Sequence, residues 1–315
     1  MTGRVLALSG GVGGAKLVLG LSRILPADEL IVVANTGDDF EHLGLAISPD
    51  LDTLMYTLAG LADEAQGWGL AGESWGFMEM LGRLGGESWF RLGDRDLAVH
   101  VERTRRLRDG TPLTRVTADL CKTLGLGVTV LPMSDDPVRT RLETDEGWLD
   151  FQDYFVRRHC EPRVVRLEYR GADQARANQA VLAALGDPAL RAVIVCPSNP
   201  WLSIAPILAV SGMRKAIAAC AAPVVAVSPI IGGRAVKGPT AKIMAEIGLV
   251  PNAAIALACY EGLLDAVIVD PVDASNPGAY GVHVATADTL MATLADKTAL
   301  AARTLDVAQA VPLAR

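Results

Sequence analysis

The stretch LSGGVGGAKL at residues 8–17 decides the fold, because it places four glycines and a lysine between an apolar strand and an amphipathic helix. The residues before it, RVLAL, are typical of a buried strand. Behind the glycines, Leu17, Leu21 and Leu25 recur at helical spacing, and a second apolar run, ELIVVAN, follows Pro26. The order strand, glycine loop, helix, strand is that of a βαβ unit and predicts a parallel sheet.

This glycine loop fits neither of two common phosphate-binding motifs. A Walker A loop needs Ser or Thr after its lysine, but Leu17 follows Lys16. A dinucleotide fingerprint starting at Gly11 lacks its last glycine, and Asn35 stands where the acidic ribose ligand is expected. Glycines at a helix N-terminus still offer free amides and partial positive charge, which favour phosphate or nucleotide binding over a turn without a ligand. The predicted phosphate-binding residues are Gly10, Gly11, Gly13, Gly14 and Lys16.

Strands and helices continue to alternate in the second half of the chain. RAVIVCPSNP, APVVAVSPIIGG, LDAVIVDPVD and VHVATA are predicted strands, several ending in polar loops, and a helix is expected over about 288–308. Residues 66–162 differ, with helical runs, a strand (GVTVLPM) and a hairpin (RTRLETDEGWLDFQDYF). We therefore predict a Rossmann-like, doubly wound α/β fold with a mostly parallel sheet. Residues 1–65 and 163–315 would form the nucleotide-binding core, and 66–162 an inserted, smaller α+β capping subdomain.

Composition restricts the possible functions. The net charge of −7 argues against a broad duplex-binding surface, so no nucleic-acid partner is expected. No apolar run approaches the roughly 18 residues that span a bilayer, and no basic leader opens the chain, so we expect a cytoplasmic protein without a membrane partner. The five cysteines form no CxxC pair and are interpreted as reduced, mostly buried thiols.

Acidic residues gather after the second strand and at the start of the next helix. Asp38 and Asp39 follow ELIVVANTG, whereas Asp50 and Asp52 open SPDLDTLMYTL, where Ser48 is expected to cap the helix. Two such loops can converge, and Mg²⁺ prefers one or two carboxylates together with phosphate oxygens. The alternative, that these residues only cap the helix and shape a turn, is equally open from spacing alone.

Two further clusters are conspicuous. VERTRRLRDG holds four arginines and is interpreted as a solvated helix face in preference to an anion site. Trp68, Trp75 and Trp89 are candidates for a wall against a flat ligand, although core packing is the favoured use of at least two of them.

Eight short motifs occur in an order that resembles the 2-phospho-L-lactate transferases, which act in assembly of the deazaflavin coenzyme F-420. They are SGGVGGAKL, NTGDD, ISPDLDT, LGDRD, LPMSDDPV, FQDYFV, PSNP and AVSPIIGG. The resemblance implies a Mg²⁺-dependent homodimer acting on small-molecule substrates. A guanosine diphosphate-linked donor would pass a 2-phospholactyl, phosphoenolpyruvyl or related three-carbon group to Fo, the 7,8-didemethyl-8-hydroxy-5-deazariboflavin. The terminal ribityl hydroxyl of Fo would attack the phosphorus, and GMP would leave.

The same resemblance implies roles for single residues. The predicted catalytic residues are Asp50 and Asp52, and the predicted Fo-binding residues are Asp52 and Arg91. The predicted metal ligands are Asp38, Asp39 and Asp50. The predicted donor-side residues are those of the glycine loop together with Ser198, Asn199, Gly232 and Gly233. The capping subdomain would contribute to the acceptor site, and the three-carbon acid of the donor stays open.

Two rival functions remain possible at this level. A nicotinamide-dependent oxidoreductase would use the same type of sheet, although the broken fingerprint and the missing ribose acid argue against it. A metabolite-binding regulator of the related gluconeogenesis-factor family would also fit, whereas LGDRD and FQDYFV favour the transferase. Bound NAD(P) would support the first rival, and failure to bind Fo would support the second.

Overall fold

The computed structural model describes residues 3–313, and a seven-stranded sheet forms its centre. The strands of this sheet are β1 (Val5–Ser9), β2 (Leu30–Ala34), β5 (Thr129–Pro132), β9 (Ala192–Val195), β10 (Val224–Val227), β13 (Ala266–Val269) and β14 (His283–Thr286). Their order across the sheet is β14-β13-β10-β9-β1-β2-β5, and every neighbouring pair is parallel. The parallel sheet expected from the βαβ pattern is therefore confirmed.

Smaller antiparallel sheets lie outside the centre. They are the hairpin β3 (Phe40–His42) with β4 (Leu45–Ile47), the sheet of β6 (Arg139–Thr144), β7 (Gly147–Asp150) and β8 (Val164–Arg170), and the hairpin β11 (Ile230–Ile231) with β12 (Arg234–Ala235). The hairpin expected in RTRLETDEGWLD is confirmed as β6 and β7, which pair Arg141 with Asp150.

Eleven α-helices connect and cover these strands in residues 3–313. They are α1 (Gly11–Ile24), α2 (Pro49–Ala59), α3 (Gly76–Arg83), α4 (Asp94–Arg108), α5 (Leu113–Thr123), α6 (Gln179–Leu185), α7 (Ala205–Ala209), α8 (Met213–Ala219), α9 (Thr240–Glu246), α10 (Ala253–Ala258) and α11 (Leu294–Ala310). Short 3₁₀ or π-helical turns occur at Ala27–Glu29, Asp153–Arg157, Pro200–Ile204, Pro271–Asp273 and Pro277–Tyr280.

Both faces of the central sheet are covered by helices, which is why its inner strands are almost entirely apolar and buried. On β1, Leu6 and Leu8 belong to one apolar cluster, whereas Val5 and Ala7 belong to the other. The first cluster packs against α6, α7, α8 and α10, and the second against α1, α2, α5 and α11. This arrangement is the doubly wound α/β fold that the sequence predicted.

The strand order changes direction between β1 and β9, and this point positions the site. From β1 the chain adds β2 and β5 on one side, whereas β9, β10, β13 and β14 extend the sheet on the other. Ligands of open parallel sheets bind in the crevice beyond the strand ends at such a switch point. The glycine loop follows β1 and the PSNP loop follows β9, so both loops line this crevice.

The division into a core and an inserted subdomain stays a prediction. The strand in GVTVLPM lies within the predicted subdomain, residues 66–162, but belongs to the central sheet. This run contains β5, which pairs with β2 at the edge of the central sheet, with Val32 opposite Val130. The run is apolar and β-branched, as a strand covered by helices requires. In contrast, β6 and β7 form their sheet with β8, which lies just after residue 162.

Two helix starts differ in detail from the sequence prediction. α11 begins at Leu294 because Thr293 and Asp296 form a reciprocal capping box, in which the Asp296 amide donates to the Thr293 hydroxyl at 3.2 Å. α2 begins after Ser48 as predicted, but the Ser48 hydroxyl donates to Asp39 Oδ2 at 2.8 Å and does not cap the helix. None of the helices within residues 3–313 has the length and apolar character needed to cross a bilayer.

Candidate active site

The glycine loop is joined to two other predicted site segments by hydrogen bonds from its backbone. The Gly11 amide donates to Asp50 Oδ1 at 2.6 Å, and the Gly10 amide donates to Ser198 Oγ at 3.1 Å. Gly11 has φ +64°, a conformation that glycine adopts without strain. The acidic start of α2 and the PSNP loop therefore meet the first turn of α1, where the sequence predicted phosphate binding.

Close packing between loops explains two of the other glycines. A Cβ atom at Gly13 would lie 2.5 Å from the Pro197 carbonyl oxygen, and one at Gly14 would lie 2.5 Å from Ser198 Oγ. The glycines thus let the loop after β9 rest on the first turn of α1. The amides of that turn have no partner inside the helix, and the Gly11 amide is already used by Asp50. Because the Gly10 amide donates to Ser198, the amides of Val12 and Gly13 are the two that remain in this turn for the predicted phosphate.

Asn35 connects the two acidic segments at the end of β2. Its Nδ2 donates to Asp38 Oδ1 and to Asp50 Oδ2, each at 3.0 Å, and its Oδ1 accepts the Gly37 amide at 2.8 Å. The residue that breaks the dinucleotide fingerprint is therefore buried and bonded within the protein, to the two carboxylates, to the Gly37 amide and, at 3.3 Å, to the Leu202 carbonyl. Sequence reasoning identified Asn35 only as a missing ribose ligand and missed this bridging role.

Burial makes the three aspartates of this region unusually basic. Desolvation, reinforced by the charges of Asp50 and Asp39, raises the pKa of Asp38 well above its usual value. Desolvation raises the pKa of Asp50 to about 6, against the hydrogen bonds from Asn35 and Gly11. It raises the pKa of Asp39 to about 7, against the charge of Arg139 and the hydrogen bond from Ser48. A cation bound beside such carboxylates favours their ionised forms and displaces any protons that they carry.

The predicted metal ligands are brought together only in part. Asp38 and Asp50 share the Asn35 amide, whereas Asp39 points one oxygen to Ser48 and buries the other, Oδ1, without a partner. Two convergent carboxylates with raised pKa values and one unsatisfied carboxylate oxygen fit Mg²⁺, which takes one or two carboxylates and completes its shell with phosphate or water oxygens. The residues present therefore suit Mg²⁺, with part of its coordination shell left to oxygens that the protein does not supply.

A second cluster of possible ligands lies on α2 and α4. Across residues 3–313, the ligand atoms of Asp52, Asp96 and His100 are the set that lies within 4.8 Å of one another. Arg103 already neutralises Asp52, because its Nη1 donates to Asp52 Oδ2 at 3.1 Å and its Nη2 contacts Oδ1. A guanidinium in that place opposes a second cation, so this cluster is a poor metal site.

The interpretation of VERTRRLRDG as a solvated face is wrong for one of its arginines. Arg103 is 1% exposed and faces Asp52, whereas Arg105 is 60% exposed and pairs with Glu102 and Asp109. The signal was present, because Asp96, His100 and Arg103 follow one another at helical spacing and share a face of α4. Because Arg105, Arg106 and Arg108 follow Arg103, the whole run was interpreted as exposed.

The remaining predicted residues are placed as follows. Arg91 is exposed and stacks on Trp75, with 4.1 Å between its Cζ and the ring centroid. Asn199 Oδ1 caps the turn after β9, and its buried Nδ2 has no partner in the structure. Lys16 Nζ donates to the Met291 carbonyl at 2.9 Å, so that residue is held by the loop before α11.

Gly232 and Gly233 form the two-residue turn of the β11–β12 hairpin. Both have positive φ, at +56° and +75°, which this tight turn requires. The Gly232 amide donates to Asp273 Oδ2 at 2.9 Å. Turn geometry accounts for both glycines, and their predicted contact with the donor stays a prediction.

A cleft of about 850 Å³ opens beside the acidic cluster. Its wall includes Asp38, Asp39, Trp89, Arg139 and Gln152. Trp89 lies against His42, with 5.1 Å between the ring centroids, while Trp68 and Trp75 pack against each other elsewhere. Of the three tryptophans considered as a wall for a flat ligand, Trp89 is the one that lines this cleft.

Unsatisfied polar atoms are concentrated around the cleft and the strand ends. Buried side-chain atoms without a hydrogen-bond partner in the structure occur in Thr36, Asp39, His42, Trp89, Thr140, Asp153 and Asn199. Buried polar groups in folded proteins are normally paired, so a concentration of unpaired ones indicates where a ligand or ordered water supplies the missing partners.

Curated proteins with similar sequences are transferases. The chain is 41% identical to a phosphoenolpyruvate transferase of Streptomyces griseus, over 98% of this chain and 99% of the relative. It is 40% identical to a 2-phospho-L-lactate transferase of Methanosarcina mazei, over 91% of this chain and 94% of the relative. Among solved structures, a member of the UPF0052 family from Bacillus halodurans matches with a TM-score of 0.66 and 15% identity, over 97% of this chain and 99% of the other. That likeness shows the shared α/β fold alone.

The family model described as 2-phospho-L-lactate transferase CofD matches residues 5–307, which include the glycine loop, the acidic cluster and the PSNP loop. The resemblance noted from the ordered motifs is thereby confirmed, and with it an enzyme that transfers a phospholactyl or phosphoenolpyruvyl group. The chain belongs to the CofD family of 2-phospho-L-lactate transferases.

Proposed function

We propose that this chain transfers a phosphorylated three-carbon acid, 2-phospholactate or phosphoenolpyruvate, from a guanosine diphosphate-linked donor to Fo. The terminal ribityl hydroxyl of Fo attacks the phosphorus that carries the acid, the bond to GMP breaks, and a phosphodiester forms. Reactions of this type depend mainly on positioning and on neutralising charge. We further propose that the enzyme depends on Mg²⁺ and works as a homodimer.

One observation carries this proposal: the contact of Asp50 with both the Gly11 amide and the Asn35 side chain. It joins the phosphate-binding turn of α1 to the acidic cluster at the same point of the sheet. A diphosphate bound to the first-turn amides therefore lies beside Asp38 and Asp50. The PSNP loop adds the free Asn199 Nδ2 from the other side of the switch point, where it can read a base or phosphate.

Asp38 and Asp50 are the residues that would hold the ion, with Asp39 next to them. When bound, Mg²⁺ supplies positive charge that offsets the diphosphate and the leaving GMP. Asn35 orients both carboxylates through its single amide nitrogen. Arg139 lines the same cleft and lowers the pKa of Asp39 through its positive charge, so it also favours the ionised state that a cation needs.

The acceptor is proposed to occupy the cleft beside the acidic cluster. Trp89 offers an aromatic surface of the kind on which a tricyclic ring packs. Asp52 lies at the start of α2, two residues after Asp50, and is the proposed acceptor of a hydrogen bond from the ribityl hydroxyl. Because both of its oxygens contact Arg103, Asp52 serves better to orient the hydroxyl than to remove its proton.

The two rival functions are disfavoured on separate grounds. In a dinucleotide enzyme the residue at the end of β2 must face a ribose, but the Asn35 side chain is buried against Asp38 and Asp50. The metabolite-binding regulator is disfavoured by the sequence relatives, which are transferases over nearly the whole length of the chain.

The direct test is an incubation of the protein with Fo, Mg²⁺ and either the phospholactyl or the phosphoenolpyruvyl guanosine donor, followed by mass spectrometry. The proposal predicts a phosphodiester of Fo and an equal amount of GMP, both abolished by a chelator. Asp50→Asn is the inactive comparison, and Asp306→Asn, an exposed aspartate on α11, is the matched active control. Unchanged Fo with both donors, despite Mg²⁺, would refute the proposed reaction.

A further inference from the structure

A buried polar brace links α4 to the start of α2, and the family resemblance assigns a role to only one of its residues, Asp52. We define the brace as Asp52 and Tyr56 on α2 with Asp96, His100 and Arg103 on α4. All five side chains are buried. The guanidinium of Arg103 occupies both oxygens of Asp52, with Nη1 to Oδ2 at 3.1 Å. Because the planar guanidinium contacts both carboxylate oxygens, it fixes the plane of the carboxylate as well as its position.

His100 holds Arg103 from the opposite side. Its Nδ1 lies 3.2 Å from Arg103 Nη1. Since a guanidinium only donates hydrogen bonds, Nδ1 must be the accepting nitrogen, and Nε2 carries the proton. Nε2 lies 3.2 Å from Asp96 Oδ2, so the partial positive charge of its N–H is attracted to the carboxylate, although the two groups are not aligned as a hydrogen bond. Arg103 thus selects the tautomer of His100, and Asp96 stabilises that tautomer.

The far end of the brace returns to α2. Tyr56 Oη donates to Asp96 Oδ1 at 2.5 Å, and Tyr56 lies one helical turn after Asp52. The backbone of Asp96 is held by a contact outside the brace, because its amide donates to Glu73 Oε1 at 2.8 Å. The sequence of contacts Asp52, Arg103, His100, Asp96, Tyr56 is therefore a closed circuit between two helices.

Stability alone does not explain such a circuit. Burying charged groups is costly, and apolar replacements of buried ion pairs are often neutral or more stable. What the brace provides is a single orientation of the Asp52 carboxylate. This residue lies beside the proposed metal ligand Asp50 and is the one residue of the brace assigned to contact with the acceptor.

We infer that Arg103 and His100 are positioning residues that orient Asp52 toward the ribityl hydroxyl of the acceptor, an inference that rests on the proposed function. They act through Asp52 and contact neither substrate. Their removal should therefore weaken the use of Fo much more than the use of the guanylyl donor.

The test compares Arg103→Lys, His100→Phe and His100→Asn with the exposed control Arg105→Met on the same helix. Asparagine places a carbonyl oxygen near the position of Nδ1 and keeps an acceptor for Arg103, whereas phenylalanine removes it. Arg103→Lys and His100→Phe should raise the KM for Fo and the Kd for Fo, read from its fluorescence, by about tenfold or more. The donor KM should stay within about twofold, and His100→Asn should recover most of the loss.

The results distinguish failure of the positioning inference from failure of the proposed function. Equal losses for both substrates, or wild-type affinity for Fo in Arg103→Lys and His100→Phe, overturn the inference while the transferase function stands. Absence of Fo binding by the wild type refutes the proposed function instead. In that case a crystal structure of Arg103→Lys still tests whether Arg103 orients Asp52. A rotated Asp52 carboxylate would support this role, and a carboxylate in its wild-type orientation would overturn the inference.

Discussion

Replacing Asp39 with asparagine is expected to stabilise the metal-free protein at alkaline pH while it weakens transfer, because Asp39 adds negative charge beside the proposed metal ligand Asp38. Burial raises the pKa of Asp39 to about 7, whereas an unfolded aspartate titrates near pH 3.9. The difference between these two pKa values corresponds to about 4 kcal/mol of folding free energy, as an upper estimate, when the group is forced to ionise. Asparagine can still accept the hydrogen bond from Ser48 and carries no charge to desolvate.

The effect has a defined pH window. Below about pH 4 the carboxyl is protonated in both the folded and unfolded states, so its burial costs no ionisation energy. Between about pH 4 and pH 7 the unfolded chain loses this proton but the folded chain keeps it, so the stability of the wild type falls as pH rises. Above about pH 7 the penalty is complete. The gain from Asp39→Asn should therefore be small at pH 4.5 and largest at pH 8.

Urea unfolding in the presence of a chelator measures this gain at both pH values. Asp306→Asn, which removes an exposed charge from α11, is expected to change the unfolding free energy by less than about 0.5 kcal/mol at either pH. Destabilisation by Asp39→Asn at pH 8, or an equal effect at both pH values, would refute the claim that this carboxylate is held at a cost to folding. Unchanged transfer activity would remove Asp39 from the site.

Three further outcomes are expected. Asp50→Asn should abolish the rise in thermal unfolding midpoint that Mg²⁺ gives the wild type, since one of two convergent carboxylates is lost; an unchanged Mg²⁺-induced shift would exclude Asp50 as a ligand. Gly14→Ala should destabilise the protein by about 1–3 kcal/mol in urea, because its Cβ would lie 2.5 Å from Ser198 Oγ, and wild-type stability would contradict the packing described. Thr293→Ala should cost about 1 kcal/mol in the same assay through loss of the α11 capping box, without altering transfer, and a larger change in activity would be unexpected.

The central sheet could be predicted from sequence because its signals are local. Short apolar, β-branched runs such as ELIVVAN and RAVIVC are typical of strands covered on both faces, and glycines after β1 indicate where the backbone must approach another loop. The meeting of the glycine loop, the acidic segments and the PSNP loop also follows from the rule that parallel strands end at one edge.

The partners within the site could not be predicted, because they depend on contacts between distant segments. Asp52 and Arg103 are 51 residues apart, and the helical spacing of Arg103 with Asp96 and His100 indicates a shared face of α4 but not that this face is buried. From the sequence, Asn35 indicated only that the acidic ribose ligand of a dinucleotide motif is absent. In the structure its side-chain amide joins Asp38 to Asp50. A polar buried face gives no hydrophobic period, so the usual signal for a packed helix surface is missing from α4.

The central claim is that a divalent ion and a guanylyl diphosphate meet where Asp38 and Asp50 approach the first turn of α1. A crystal structure with GDP and Mn²⁺, with the ion located by its anomalous scattering, tests this claim most directly. One peak is expected beside the carboxylates of Asp38 and Asp50, with the phosphates against the free amides of Val12 and Gly13. A peak between Asp52, Asp96 and His100, or a diphosphate bound away from the glycine loop, would contradict it.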